Sequence, residues 1–542
     1  MTNRPDRKNK ISRPAHLAIA LGVLIAMSCS HRVVRFRAEK PVWYFNDISP
    51  IPVPKDAIKD RLSYYATVQD PPPMVQPFYV TDHHQARDIN SLDHVPASSW
   101  FMPRMGYQDI TPEQLLFGPT ELGPPRSPVQ VLRVRDITGQ PRLFVRDSRG
   151  ELYLLKFDPR DFPALATTSS FIVNRLFWGF GYHVPEDHLF FFERKDLKIS
   201  PESRIDNVAV DSLLTRIAPP VDHKYRALAS RIIPGLPLGP TPERGIRPND
   251  PNDYFAHQHR RVLRALRVFA AFVNMPDIGS DNTLDMYVGE PGKGYIKHYL
   301  VDFDDAFGTH AALYQRRWAG YNHIFSLTDI IHNFFTLGLQ VQPWEYIRNT
   351  PWPSVGAFES TYFDPGKWKE TQPFEPIRSS QPSDQYWAAK IIAHFEKAHL
   401  QKLIKAAQYP SSEAAAYVLE TCLARKQKIL GEFFNRVSPV EFVQANRDTL
   451  FFRDTRKQYL AGSRHMLTHY RIEIYDNKNE KIATHHQNSF YDFIRIPLVS
   501  TSEDYWVIKI TTRDQEMKSE SPAQFHFVNN EPNPPSLVGV IH

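Results

Sequence analysis

Three side chains in one short region have types and spacing that could do chemistry. Asp277 and Asn282 stand five residues apart in the loop Asn274-Met275-Pro276-Asp277-Ile278-Gly279-Ser280-Asp281-Asn282. Asp302 follows in Asp302-Phe303-Asp304. All three carry oxygen, the donor that a Mg²⁺-bound phosphate chain requires from a protein. Asn282 and Asp302 are the candidate metal ligands, for Mg²⁺ or Mn²⁺. Asp277 is the candidate catalytic residue, placed to orient or deprotonate an acceptor. Asp281, Asp285, Asp304 and Asp305 are nearby alternatives.

A hairpin must bring these residues together. Leu284–Val288 and Tyr295–Val301 are strand-like runs around the turn Glu290-Pro291-Gly292-Lys293-Gly294. Positions 282 and 302 are symmetric about Gly292, so the hairpin returns Asp302 to the open end that holds Asn282.

A second element must supply positive charge. Val129–Asp136, Arg142–Asp147 and Glu151–Phe157 read as three strands, the last two joined at Asp147-Ser148-Arg149-Gly150. Leu152, Leu154 and Lys156 share one face. Lys156 then lies beside the turn Thr138-Gly139-Gln140, and a Lys under a Gly-containing turn is one way to hold phosphates. Lys156 and Gly139 are therefore the candidate cofactor-binding residues. The competing reading of Lys156 is a snorkelling surface lysine. Thr167–Phe180 has apolar residues at helical spacing and ends at Gly181. His188–Glu193 is a further strand. Residues 195–250 read as irregular, and Tyr254–Asn274 as a helix capped by Asp253 whose arginines 260, 261, 264 and 267 form a solvated or ion-paired face. Asp384–Ala407 and Ser411–Phe434 read as two long helices. Tyr470–Tyr475, Phe490–Pro497 and Tyr505–Thr511 alternate as strands of a β-sandwich.

These residues resemble the protein-kinase-like superfamily in its divergent branches. The similarity is carried by Leu154-Leu155-Lys156-Phe157-Asp158-Pro159, Gly181-Tyr182-His183-Val184-Pro185-Glu186, Asn249-Asp250-Pro251-Asn252-Asp253 and Asn282-Thr283-Leu284-Asp285. It looks closest to bacterial envelope proteins with an N-H-x-D-x-K-x-x-N-T-L-D loop. The resemblance implies an α+β, two-lobed fold, with Lys156 on the nucleotide phosphates, Asp277 at the acceptor, and Asn282 and Asp302 on metal. It implies ATP with Mg²⁺ or Mn²⁺ as cofactor. Four features depart from the pattern. Met275 replaces the loop His, Gly279 replaces the loop Lys, Asp304 stands where D-F-G has Gly, and no acid occurs between Asp161 and Glu186 to pair with Lys156.

The expected organisation is a signal peptide over 1–28, an extended Pro- and aromatic-rich arm over 29–128, a small β-rich lobe over 129–194, a mainly helical lobe over 195–438 and a β-rich domain over 439–542. Arg4, Arg7, Lys8, Lys10 and Arg13 precede an apolar run, Leu17 to Met27, of 11 residues. Ala26-Met27-Ser28-Cys29 then resembles a lipobox, which makes Cys29 a candidate lipidation site and the cell envelope the expected location, at the outer membrane or periplasmic face of a Gram-negative cell. Residues 1–28 carry a net +4 of the chain's formal +6. The remaining +2 gives no support to nucleic-acid binding. The other cysteine, Cys422, falls in a helical pattern and reads as an inert buried thiol, so a disulfide framework and a zinc–cysteine site are both excluded. Asp82, His83, His84, Asp88, Asp93 and His94 match no metal template and read as a polar surface loop.

Two functional expectations follow. One is an exported, lipid-anchored protein that transfers a phosphoryl or other nucleotide-derived group to an acceptor. The other is a non-catalytic, pseudokinase-like scaffold that binds an envelope protein. A hydrolase using paired carboxylates is a third reading, for which nothing in the sequence sets a carboxylate separation.

Overall fold

The structure, a computed structural model, describes residues 35–36, 46–66, 84–137, 140–310, 312–323, 342–498, 504–530 and 532–542. Cys29, Gly139, Asp82 and His83 lie outside the described residues. The fold is mixed α and β, with one six-stranded sheet, a helical body and separate antiparallel sheets. No helix of the described residues is long and apolar enough to cross a membrane.

The six-stranded sheet contains β1 (Val129–Ile137), β2 (Gln140–Arg146), β3 (Leu152–Lys156), β4 (Asp187–Phe192), β5 (Leu197–Ile199) and β6 (Tyr225–Arg231). Its order is β4-β6-β3-β2-β1-β5, antiparallel throughout except for the β1–β5 pair. Period-two alternation sorts the side chains. Val129, Val131, Leu143, Val145, Tyr153 and Leu155 share one core with Val210, Leu213 and Leu214 of a helix over Asn207–Arg216. Phe144 and Leu154 face the other way, with Ile232.

Helix α1 (Ala166–Phe180) follows β3 and is buried on nearly every side. Its entry is capped from a distance: the Asp158 carboxylate accepts the backbone N–H groups of Ala166 at 2.7 Å and Thr167 at 3.0 Å. Its exit needs glycine. Gly181 has a φ of 117°, and a Cβ there would meet the Phe101 ring at 2.1 Å. Phe101 belongs to the arm. With Val95, Trp100, Met105, Ile110 and Leu115 it enters the core that α1 shares with α2 (Leu266–Val273), α3 (Pro382–Ala393), α4 (Lys397–Ala406) and α5 (Ser412–Phe433).

The carboxyl-terminal part is two antiparallel sheets sharing one core. Val440–Ala445, Thr449–Asp454 and Phe493–Pro497 form the first. Thr468–Tyr475, Lys481–Ser489, Tyr505–Arg513, Ala523–Asn530 and Asn533–Ile541 form the second. Phe452 and Ile494 of one meet Ile472, Ile508 and Phe525 of the other.

Several local expectations are corrected. The stretch 195–250 is not irregular, and the small sheet does not end at 194: β6 lies between β3 and β4. Its sequence Tyr-Arg-Ala-Leu-Ala-Ser-Arg has little β propensity, and two flanking strands make it a strand. The helix expected over 254–274 begins only at Arg261 and is broken at Ala265. Asp253 does not cap it, because its carboxylate is taken by the backbone N–H of Arg247 at 2.7 Å and by the side chains of His257 at 2.7 Å and Arg260 at 2.5 Å. Of the two readings of that segment's arginines, the ion-paired one holds for Arg260, Arg261 and Arg264, which are buried. Asp384–Ala407 is two helices, because Glu396 and His399 cap a new start reciprocally. Asp88 and Asp93 are buried rather than on a surface loop. Asp88 accepts the Arg261 backbone N–H at 2.5 Å, and Asp93 pairs with the Arg261 side chain.

Candidate active site

Strands β8 (Thr283–Val288) and β9 (Tyr295–Leu300) form the hairpin, with β7 (Leu236–Gly239) on the outer side of β8. Thr283 pairs with Leu300 and Val288 with Tyr295. At the open end Val301 donates its backbone N–H to the Asn282 carbonyl at 2.8 Å, and the Asn282 side-chain N–H goes to the Asp302 carbonyl at 3.2 Å. Asp302 itself has a φ of 60°, in the left-handed region, which turns the chain sharply as it leaves β9. Phe303 is buried and lies against Phe177 of α1, with ring centroids 5.2 Å apart. The aromatic ring thus anchors the segment to the helix while the acids on either side face the sheet.

Lys156 receives them. Its ammonium donates to Asp302 Oδ1 and lies 3.3 Å from Asp304 Oδ2. Asp304 is buried and also accepts Gln140 Nε2 at 2.9 Å, with the Arg142 guanidinium 3.6 Å away. Arg142 is the β2 partner directly across from Lys156. Burial opposes the charge on Lys156, but Asp302 and Asp304 outweigh it and hold its pKa above the ordinary lysine value. Burial likewise opposes the charge on Asp304, and Lys156 overcomes it, so that the Asp304 carboxyl stays below the usual range. Lys156 is therefore no snorkelling surface lysine: it is buried and points inward.

No acid of α1 meets Lys156. Ser169 Oγ stands 3.4 Å from Thr309 Oγ1, and Ser170 Oγ is buried without a hydrogen-bond partner. Asp304 supplies the carboxylate instead.

Asp277 belongs to an adjoining cluster, within range of the Asp302 charge. It faces Asp305, whose carboxylate is 3.0 Å from His310 Nδ1. His310 belongs to β10 (Thr309–His310), paired with β11 (Leu313–Tyr314). Asp277, Asn282 and His310 line a cavity of about 320 Å³, with Glu243, Arg316 and Trp318 among its other walls. Burial and the adjacent Asp305 carboxylate push the Asp277 pKa well above the carboxylate range. The Asp305 carboxylate raises that of His310, and burial works against it.

The sign of the Asp277 shift makes a prediction. Its folded pKa lies above the unfolded value, so its ionisation opposes the fold once the pH passes about 4 and continues to do so up to the raised folded pKa. In a chelating buffer, Asp277→Asn is expected to unfold at a higher temperature than wild type at about pH 8 and at nearly the same temperature at about pH 4. Thermal scans at the two pH values test this, and a variant less stable than wild type at both would refute it.

The structure thus brings Lys156, Asn282 and Asp302 to one place and sets Asp277 beside Asp305 and His310. Sequence reasoning did not select Gln140, Arg142 or His310, and it held Asp304 and Asp305 only as alternatives. A signal for His310 was present in Gly308, whose φ of 77° marks the turn that presents β10. Cys422 is a buried free thiol whose pKa burial pushes up to about 12. Compared with known proteins, the chain matches no family model, no curated protein and no solved structure.

Proposed function

We propose that the chain is a divergent protein-kinase-like protein whose cleft, between β3 and the mouth of the β8–β9 hairpin, takes a metal-bound nucleotide. The observation that carries this is the contact of Lys156 with Asp302 and Asp304 across 146 and 148 residues of sequence. A lysine on a third strand, a following helix, an Asp-x4-Asn loop, a hairpin and an Asp-Phe pair occur here in the order the kinase arrangement requires. The donor set fits a Mg²⁺ or Mn²⁺ ion with phosphates. Asn282 uses its N–H on the Asp302 carbonyl, which leaves Oδ1 for a cation, and Asp302 supplies a carboxylate. Such an ion neutralises charge on the phosphates. Lys156 would exchange one carboxylate for a phosphate oxygen, and the cavity beside Asp277 would receive the acceptor of the phosphoryl or other nucleotide-derived group. In this reading the protein works at the cell envelope, held by a lipid on Cys29, with an envelope protein as partner.

A second reading is favoured by one observation. Lys156 is already paired with two carboxylates, one of them at the position where a glycine would stand. A cleft closed in that way suits a pseudokinase-like scaffold that binds an envelope protein without turnover.

Thermal unfolding of the full chain with ATP and Mg²⁺ or Mn²⁺ separates nucleotide binding from its absence. Saturating ligand at a hundredfold its Kd stabilises by about 2.7 kcal/mol. The metal-dependent rise is expected in wild type and absent in Lys156→Ala and Asp302→Ala. No shift in wild type at millimolar ATP would sink the nucleotide reading.

A further inference from the structure

The cluster around Asp277 has a chemistry of its own. Asp277, Asp305 and His310 each offer one donor atom, and the three atoms lie within 4.8 Å of one another. Bonds of about 2.1 Å to one ion set neighbouring donors about 3 Å apart, a spacing within reach of side-chain rotation from the present one. Two of the three donors are carboxyl groups in mutual contact, an arrangement that holds a shared proton until a cation takes its place.

The third donor is held by a built scaffold. His310 lies on β10, one residue after Thr309, whose hydroxyl donates to the carbonyls of Asp304 and Ala306. Gln315 clasps the same turn, with its side-chain N–H on the Thr309 carbonyl at 3.2 Å and its backbone N–H on the Gly308 carbonyl at 2.8 Å. Gly308 packs against the backbone of Ala357 so closely that a Cβ would stand 2.4 Å from its nitrogen. The backbone that presents His310 is thereby fixed, while its side chain stays half exposed, on the wall of the 320 Å³ cavity.

We propose that Asp277, Asp305 and His310 form a cation site, open to this cavity, that takes a first-row transition-metal dication in preference to Mg²⁺. One imidazole with two carboxylates suits Mn²⁺, Fe²⁺ or Zn²⁺, whereas Mg²⁺ prefers oxygen donors and retains its waters. Three protein donors facing an open cavity leave coordination positions for solvent or a ligand hydroxyl. The site requires neither nucleotide nor Lys156. Resting on the transfer reading above, one consequence follows: the dication puts positive charge on the wall that Gly279 shares, where the kinase pattern has a lysine.

Electron paramagnetic resonance of Mn²⁺ added to the nucleotide-free full chain tests the site. The expected result is saturable Mn²⁺ binding that survives millimolar Mg²⁺, with a nitrogen coupling to the bound ion from one imidazole. His310→Ala is expected to abolish the nitrogen coupling, and both His310→Ala and Asp305→Asn to weaken binding by more than about tenfold. The wild-type spectrum decides the matter even if a variant fails to fold. No saturable binding, binding without nitrogen coupling, or displacement by equimolar Mg²⁺ would each overturn the proposal. Nitrogen-coupled Mn²⁺ without any ATP-dependent thermal shift would remove the nucleotide reading and leave this site standing. An ATP-dependent shift without nitrogen-coupled Mn²⁺ would do the reverse.

Discussion

Lys156→Met is expected to lower the free energy of unfolding by about 3–5 kcal/mol at neutral pH, as well as to eliminate any nucleotide-dependent shift. The methionine fills most of the volume, so the loss is electrostatic. The substitution leaves Asp302 and Asp304 facing each other with Gln140 Nε2 and the more distant Arg142 as the remaining donors. Removing one partner of a buried pair costs more than the pair was worth, because the other charge stays desolvated. The pH dependence follows from the directions of the shifts. In wild type the Asp304 pKa is depressed, so its contribution is present above the unfolded value near 4 and is lost as the pH falls through the lower folded value. Lys156 has a raised pKa, so its contribution holds below about 10.5 and disappears as the pH climbs through the folded value. In the variant the carboxylates crowd without a lysine and take up protons more readily. Its deficit is therefore greatest near pH 7 and shrinks as the pH falls toward about 4. Urea unfolding across this range reads both effects. A variant within about 1 kcal/mol of wild type at pH 7 would show that the contact is not part of the folded state.

Arg261→Ala is expected to be as damaging, by a route far from the cleft. Arg261 is fully buried. Its guanidinium lies 2.7 Å from an Asp93 carboxylate oxygen and 3.0 Å from Asp384 Oδ1, and donates to the Asp93 carbonyl at 2.7 Å. Arg264 reaches Asp384 Oδ2 at 3.5 Å, and His542 reaches Asp93 Oδ2 at 3.0 Å. The arm and the helical body therefore meet at one guanidinium, and His542 joins them through Asp93. Deleting that guanidinium leaves two buried carboxylates with only Arg264 and His542 as basic partners and opens a cavity, at a cost of about 3–5 kcal/mol. Urea unfolding measures that cost. Limited proteolysis adds a readout of place, since the arm between 84 and 110 is expected to become the first site of cleavage. Loss of less than about 1 kcal/mol, with the arm still protected, would remove Arg261 from its role as the joint.

Much of the cleft was legible because its parts are local. The hairpin that carries Asn282 and Asp302 is set by a Gly/Pro turn and two alternating runs, and its register is off the sequence reading by a single residue. The same holds for β3, where alternation alone places Lys156 on the Leu154 face, and the structure pairs it with Arg142. Helix α1 ends at the glycine that stops its pattern. What stayed hidden depends on partners distant in the chain. The strand β6 is recognisable only between its neighbours. The arginines 260, 261 and 264 read as either a solvated or an ion-paired face until Asp253, Asp93 and Asp384 are brought to them. His310 looks like an ordinary polar residue, and Asp305 like one of several alternative acids, until the turn at Gly308 folds them toward Asp277.

By itself, then, the sequence determined the repertoire: which strands alternate, where helices stop, and which oxygen-bearing residues a hairpin returns to one end. These are consequences of backbone periodicity and turn chemistry acting over a few residues. Only the tertiary structure decided who pairs with whom. It gave Lys156 the carboxylate of Asp304 in place of a helix acid, and it put Asp277 with Asp305 and His310 rather than with the lysine. The physical reason is desolvation. A charge in water needs no particular partner, whereas a buried one must be met by an opposite charge or a cation, and packing alone determines which groups lose their water.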